Sequence, residues 1–507
     1  MNAHRLLTLA AAGLVAAGCT VGPDYRRPEV AAPAEFRRPT PAAPAAAHGP
    51  TEATSLADRA WWEVVDDPAL ERLIEQALES SYDLRLAAWR VEEARAQAGV
   101  TRSERFPAVQ GSAGVSRGRS SAFASPFTAT AETYDVRLGV SWELDLWGRI
   151  RRANEAALAE VLASEEGRRG VVLTLVSEVA SGYFRLRALD LQLEIAQRTA
   201  VAFGATHSLF RERLDAGLAS ALETSSASAS LAATNAAIPE LERRIVEQEN
   251  RLAFLVGRPP GEIERGEALV DQLLPPAIPA GLPSALLERR PDLRGAEQEL
   301  VAANAAVGVA KADYFPRISL TGAFGGLATD VSDLFGDGET WSIGGGLLTP
   351  VLQGSRLRDR HRAALARWEQ AKARYERSVT NAFVEVSTAL VAYEKLAEVE
   401  HERARAVAEY RDAAEIANSR YLSGLSDYLD VLQAQQQLFP AENALAEVRF
   451  ERLATLVGLY RALGGGWQLA DDDWRGERLA EARISPPPVG RRATDRDQQQ
   501  GDQGRSE

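Results

Sequence analysis

The chain of 507 residues holds one cysteine, Cys19, so no disulfide can form within a copy. Histidine is almost as scarce. His4, His48, His207, His361 and His401 make up the five, and none stands at metal-ligand spacing from another. No Ser-His-Asp arrangement, phosphate-binding loop or dinucleotide fingerprint can be traced. The expectation is a protein that is not an enzyme, with no metal and no cofactor beyond a covalent lipid. Basic residues are in deficit, 58 against 71 acidic ones, and the net charge of -13 argues against nucleic acid as a partner. After the N-terminus there is no run of about 20 apolar residues, the length that a membrane-spanning helix needs. Between residues 355 and 423 there is neither proline nor glycine.

That last absence marks the stretch around which the chain is organised. Trp368, Ala371, Tyr375, Val379, Phe383, Val386, Leu390 and Tyr393 recur at helical spacing, and the pattern continues to Tyr421. At ~1.5 Å per residue such a rod is roughly 100 Å long and must lie against other long helices. A second copy of the plan occupies residues 149–216 and ends at Gly217, the counterpart of Gly424. The match extends beyond the rods. Asp83-Leu84-Arg85 recurs as Asp292-Leu293-Arg294, and Phe106-Pro107 as Phe315-Pro316, at an offset near 207 residues. The chain is internally duplicated, in units much larger than a solenoid repeat.

The N-terminus reads as a secretory signal over residues 1–18, ending in Ala16-Ala17-Gly18-Cys19. Small residues before a lone cysteine resemble a bacterial lipobox, which makes Cys19 the expected lipidation site. Residues 19–60 then form an acylated, Pro/Ala-rich tether. The first repeat covers 61–257, opening at Trp61-Trp62. It has helices at 67–80 and 83–104 (Asp83 as N-cap), strands at about 106–117 and 133–146, a long helix at 149–216 and a returning helix at 218–257. A linker at 258–291 leads to the second repeat, 292–467. There the elements are a helix at 292–313, strands at about 315–325 and 339–350, the long helix 355–423 and a helix at 425–463. The segment 468–507 is polar and expected to be disordered after about 486.

The strands alternate strictly. Tyr134, Val136, Leu138, Val140, Trp142 and Leu144 interleave with Asp135, Arg137, Gly139, Ser141 and Glu143. Strands of about ten residues match the length that crosses a bilayer. Trp142, Trp147, Tyr314, Phe315 and Trp341 near the strand ends suit interfacial positions. Four strands cannot close in lipid, so the barrel is expected to be shared between subunits. Two copies would fill their own lumen and three would leave an open channel. A soluble four-stranded sheet packed on the helices is the competing arrangement.

These features resemble the TolC-like outer-membrane efflux channels, in the lipoprotein branch that pairs with resistance–nodulation–division pumps. The resemblance rests on Cys19 to Pro28 (CTVGPDYRRP), on Arg290-Pro291-Asp292-Leu293-Arg294, on Ala310 to Pro316 (AKADYFP) and on Leu459 to Trp467 (LYRALGGGW). It implies a mainly helical homotrimer, with a twelve-helix α-barrel crossing the periplasm and a shared 12-stranded β-barrel in the outer membrane. It implies as partners outer-membrane lipid, a periplasmic adaptor and an inner-membrane pump, and as function a passive exit duct for drugs and other toxic small molecules. By the same resemblance, Leu429 holds an apolar ring at a closed periplasmic tip. Asp430 and Asp427 supply acidic positions, Gln433 stands where aspartate is usual, and Gly217 and Gly424 form the helix-turn tips. An exit duct for type I-like protein secretion and a periplasmic coiled-coil adaptor lipoprotein are the alternatives.

Overall fold

The computed structural model describes residues 20–33, 35–37, 56–58, 67–119, 130–272, 274, 278, 283–466 and 468. The expected signal peptide, Cys19, Trp61-Trp62 and the tail from 469 lie outside the described residues. The chain divides into Met1–Trp467 and Gln468–Glu507, and every element below belongs to the first unit.

Helix α1 spans Pro68–Ser80 and α2 spans Tyr82–Ser103. Asp83 was expected to cap α2; it sits instead inside the first turn, where its charge still favours the helix N-terminus, and Ser81 takes the cap position. Strands β1 (Ala108–Arg119) and β2 (Thr130–Leu144) lead into α3, Arg149–Asp215, and α4, Ala221–Leu255. A short α5, Leu286–Arg289, precedes α6 at Pro291–Ala312. Then come β3 (Arg317–Ala328), β4 (Glu339–Leu348), α7 (Arg356–Leu422) and α8 (Tyr428–Ala462). The two rods α3 and α7 have 67 residues each, roughly 100 Å. No described helix is long and apolar enough to cross a membrane.

The strands form one antiparallel sheet in the order β1-β2-β3-β4. Residues paired across an antiparallel ladder share a face, so the register tests the alternation. Leu138 faces Gly111 on one side and Phe324 on the other, and Phe324 faces Trp341. Arg137 faces Ser112 and Gly325, and Ser141 faces Thr321. One face is therefore apolar and the other mostly polar or small, with Leu327 opposite Asp135 and Leu348 opposite Arg317 as exceptions. Among the described residues, β1 and β4 each keep one edge unpaired.

The helices repeat this order. α3 lies against α2 in its first half, where Arg95 meets Glu165 at 2.9 Å, and against α4 further down, where Gln248 donates to the Gly182 carbonyl at 2.9 Å. A Cβ on Gly182 would come within 2.9 Å of Leu252, so glycine is what lets α4 approach. α7 is partnered likewise by α6 (Arg290–Glu385, 2.8 Å) and then α8 (Arg452–Glu400, 2.9 Å). Each rod is thus flanked by a strut made of two shorter helices. The layer runs α2/α4, α3, α6/α8, α7. Its free edges, α2/α4 and α7, lie on the same sides as the free edges of the sheet.

A belt covers the splice between α2 and α4. Asp67, fully buried, caps α1 and also accepts from Tyr183 of α3 (3.0 Å), the Glu267 backbone (3.1 Å) and Gln272 (2.9 Å). A second fastening runs over α6. The Val21 N–H donates to the Trp147 carbonyl (3.1 Å), Asp24 meets Arg152 (2.6 Å), and Arg27 forks onto the buried Glu297 through two bonds of 2.7 Å. Tyr25 donates to the same carboxylate at 3.0 Å, and burial beside that charge raises its pKa. Trp147 stacks on Phe315 and donates to the Pro316 carbonyl, which joins the two repeats beneath the sheet.

A candidate gate at the helical tip

The end of the layer away from the sheet is made by two matched turns. After α3, the Leu218 N–H donates to the Arg213 carbonyl (2.7 Å) and the Gly217 N–H to that of Leu214 (2.9 Å). After α7, Leu425 donates to Arg420 (2.8 Å) and Gly424 to Tyr421 (3.0 Å). Both are Schellman closures, which need a left-handed residue at the pivot. Gly217 and Gly424 supply it, with φ of 73° and 72°.

The turns then diverge. Ser220 caps α4 through a reciprocal box with Glu223. Its counterpart Asp427 stands at the N-cap of α8 but makes no side-chain cap bond. Asp430 is the counterpart of Glu223. It is exposed, and its carboxylate has no partner among the described residues. Leu429, 59% exposed, and Gln433 stand beside it on the first turns of α8. Leu222, the match of Leu429 on α4, is barer still, at 76%. Asp427, Leu429, Asp430 and Gln433 therefore share one short, solvent-facing stretch at the tip.

The residue between them points the other way. Tyr428 is buried, with its ring centroid 4.0 Å from that of Phe210, and Val431, Leu432 and Ala227 complete the cluster. Tyr421 leans on both rings at 5.8 Å; the Arg213 guanidinium lies over the Tyr421 ring and donates to its hydroxyl. At about 1.5–3 kcal/mol per buried large apolar side chain, this cluster binds α8 firmly to α3 of the same copy. Sequence reasoning passed over it. Its signal was an aromatic residue on either side of Gly424, at Tyr421 and Tyr428, facing Phe210 seven residues before Gly217.

The Tyr428 hydroxyl is buried without a partner among the described residues. Burial, helped by nearby Tyr421, pushes its pKa from 10.0 up to about 12. The folded tip holds the proton more tightly than the unfolded chain. Its stability is therefore full below pH 10 and declines as the pH climbs towards about 12. Tyr428→Phe is expected to stabilise the tip by about 1 kcal/mol, because an orphaned polar group is removed, and to flatten that alkaline decline. Amide exchange at the tip, followed with pH in both forms, reads both effects.

The Outer membrane efflux protein family model matches residues 73–258 and 282–465. The chain belongs to the outer membrane efflux protein family. Among its relatives, the toluene efflux pump outer membrane protein TtgC of Pseudomonas putida is 35% identical over 488 residues, covering 95% of this chain and 99% of TtgC. The cation efflux system protein CusC of Escherichia coli is 32% identical, covering 92% and 100%. The solved outer-membrane channel OprN superposes with a TM-score of 0.81 at 35% identity, covering 89% of this chain and all of that one. As an outer membrane efflux protein, the chain spans the outer membrane with its strands and reaches into the periplasm with its rods. Cys19 lies outside the described residues, and no cluster of potential metal ligands occurs among the described ones.

Proposed function

We propose that this channel is the exit duct of a tripartite efflux system, a homotrimer that receives drugs and other toxic small molecules from a periplasmic adaptor and an inner-membrane pump. The observation that carries the reading is the pair of unlike free edges. β1 with α2/α4 lies on one side of the copy and β4 with α7 on the other. Unlike edges close head to tail into a ring, not into a two-fold pair. Three copies of a four-stranded sheet make twelve strands, wide enough for a lumen that side chains do not fill. The polar face, with Asp135, Arg137, Glu143 and Arg317, then keeps that lumen wet.

Two features support the finer parts. Val21, two positions after Cys19 in the sequence, donates to Trp147 where the sheet meets the rods, which supports a lipid on the Cys19 sulfur. Leu429 and Asp430, with Asp427 and Gln433, stand where a closed tip would gather one copy of each from every subunit. An adaptor opens such a tip only by binding the open form better than the closed one. Toluene and cations in the names of TtgC and CusC support a pipe that leaves selection to the pump. Crosslinking in whole cells, followed by mass spectrometry, tests the reading. A proton-driven pump with its adaptor is the expected catch. An ATP-driven exporter would move the duct to protein secretion, and the absence of any inner-membrane partner would overturn the proposal.

A further inference from the structure

The two repeats differ in charge where the sheet meets the rods. In repeat one, the arginines that open α3 are neutralised by carboxylates of the same repeat. Arg149 takes Glu143 at 2.9 Å and Glu104 at 3.3 Å, and Arg151 takes Asp145 at 3.3 Å. Asp145 also accepts from the Ile150 and Arg151 N–H groups at 3.0 and 2.8 Å, which closes the helix N-terminus. Repeat two keeps the arginines and drops the acids. Ala156-Ala157-Leu158-Ala159 recurs as Ala363-Ala364-Leu365-Ala366, so Arg356 and Arg358 match Arg149 and Arg151, and Arg360 replaces Ala153. The link from Leu348 to Ser355 (LTPVLQGS) holds no acidic residue, and α7 starts without a side-chain cap.

A cavity of about 220 Å³ lies there, between the foot of β3, the link and the first turns of α7. Its lining carries one carboxylate, Asp313, which Arg317 already holds at 2.6 Å. Arg356 and Arg360 line it one helical turn apart. Both are exposed, and their guanidinium groups have no partner among the described residues. Arg358 and Arg362 stand outside the cavity and lean on Asp359 at 3.5 and 3.9 Å. Phe315, Leu348 and Leu357 give the cavity an apolar wall. Leu348 pairs with Arg317, so the cavity opens on the polar face of the sheet. At the seam beside α7, the acid that ends the next copy's α2, Glu104, is already held by Arg149.

We propose that this cavity is an anion-binding site, one in each copy. It takes the carboxylate, sulfonate or phosphate group of a passing organic anion on Arg356 and Arg360, and the apolar body on Phe315, Leu348 and Leu357. The site stands on the residues of one copy; its place in the lumen rests on the ring reading above. In that ring, three such sites encircle the neck between the sheet and the rods. A ring of arginines conducts anions when it binds them strongly enough to enter and weakly enough to leave. The pump still chooses the cargo, and the neck sets how readily an anion passes.

The test uses the full-length channel purified in a neutral detergent. The probe is para-fluorobenzenesulfonate, followed by fluorine NMR line broadening, with the uncharged para-fluorobenzenesulfonamide as control. The sulfonate should bind, be displaced by inorganic phosphate and weaken as salt is raised, while the sulfonamide should not bind. Each guanidinium makes a charge-assisted pair, so Arg356→Gln with Arg360→Gln should weaken binding about a hundredfold. Gln353→Glu, which puts a carboxylate into the cavity wall, should weaken it about tenfold. Arg358→Gln with Arg362→Gln removes the same charge from the same stretch but not from the cavity, and should weaken it about twofold at most. All four arginines are exposed, so these variants keep the fold. An equal fall in both double variants would show a diffuse field in place of a site and overturn the proposal, as would binding of the sulfonamide. In planar bilayers, Arg356→Gln with Arg360→Gln should shift the reversal potential in a salt gradient toward cation preference. Binding that follows the cavity without that shift would turn the site outward, toward lipid headgroups, and overturn its place in the lumen. The shift without any binding would leave the ring reading standing and remove the site.

Discussion

Leu429→Ala is expected to turn a closed channel into a leaky one. Reconstituted in a planar bilayer, the variant should conduct without any partner, and cells carrying it should admit antibiotics too large for ordinary porins. In one copy Leu429 is 59% exposed, so facing copies at the closed tip are what can cover it. Covering half a leucine is worth about 1 kcal/mol per copy, and three copies act on one opening event. Since 1.4 kcal/mol is a factor of ten, the open fraction should rise by one to two orders of magnitude. Asp430 acts differently. Its carboxylates would repel one another across the tip, so Asp430→Ala alone should leave closure intact and lower the preference for cations in the open state. Gln433→Asp should raise that preference by adding a second acidic ring. A Leu429→Ala channel whose conductance matches the parent would remove Leu429 from the gate.

Much of this fold was legible because its signals are long. The run between Gly354 and Gly424 without proline or glycine becomes the helix Arg356–Leu422, and Tyr375, Val379, Val386, Leu390 and Tyr393 are buried along it. Strict alternation in β2 becomes a sheet whose paired residues keep the two faces apart. The membership in an efflux-channel family was also readable, from contiguous motifs. What stayed hidden depends on pairs far apart in sequence. Nothing local says that Glu297 awaits Arg27 across 270 positions, or that Asp67 will take bonds from Tyr183 and Gln272. The turn residues around Gly424 could be placed, but not their directions. Leu429 faces out and Tyr428 faces in because helical geometry puts neighbours 100° apart, and the start of α8 at Tyr428, three residues beyond the expected start at Leu425, sets which is which.

Asp67→Ala should loosen the belt more than any other single change in it. The carboxylate receives five bonds: from the Ala69 and Leu70 N–H groups at 2.9 and 3.2 Å, from Tyr183, from the Glu267 N–H and from Gln272. Alanine leaves those donors in a site from which Asp67 itself is wholly screened. Each stranded donor costs about 1–3 kcal/mol before water enters, and relaxation will recover part of that, so the expected loss is about 4 kcal/mol. Tyr183→Phe removes one donor while Gly266 loses the hydroxyl it donates to at 2.7 Å, and should cost about half as much. The loss is local, because the belt fastens a joint. α4 ends at Leu255 and Gly257 abuts the Ser80 carbonyl so closely that any side chain there would overlap it. α2 starts two residues later at Tyr82. The spliced strut is therefore held end to end by α1 and the residues after 257, not by a continuous backbone. With Asp67→Ala, amide exchange should quicken at Ala69, Leu70 and Glu267 while the strands stay protected. A push delivered at the tip should then be absorbed at the loosened splice, and drug tolerance should fall although the gate residues are intact. Unchanged exchange at those three amides would show that the belt is held by its apolar contacts, Leu70, Leu73 and Ile74 of α1, and that the carboxylate is replaceable.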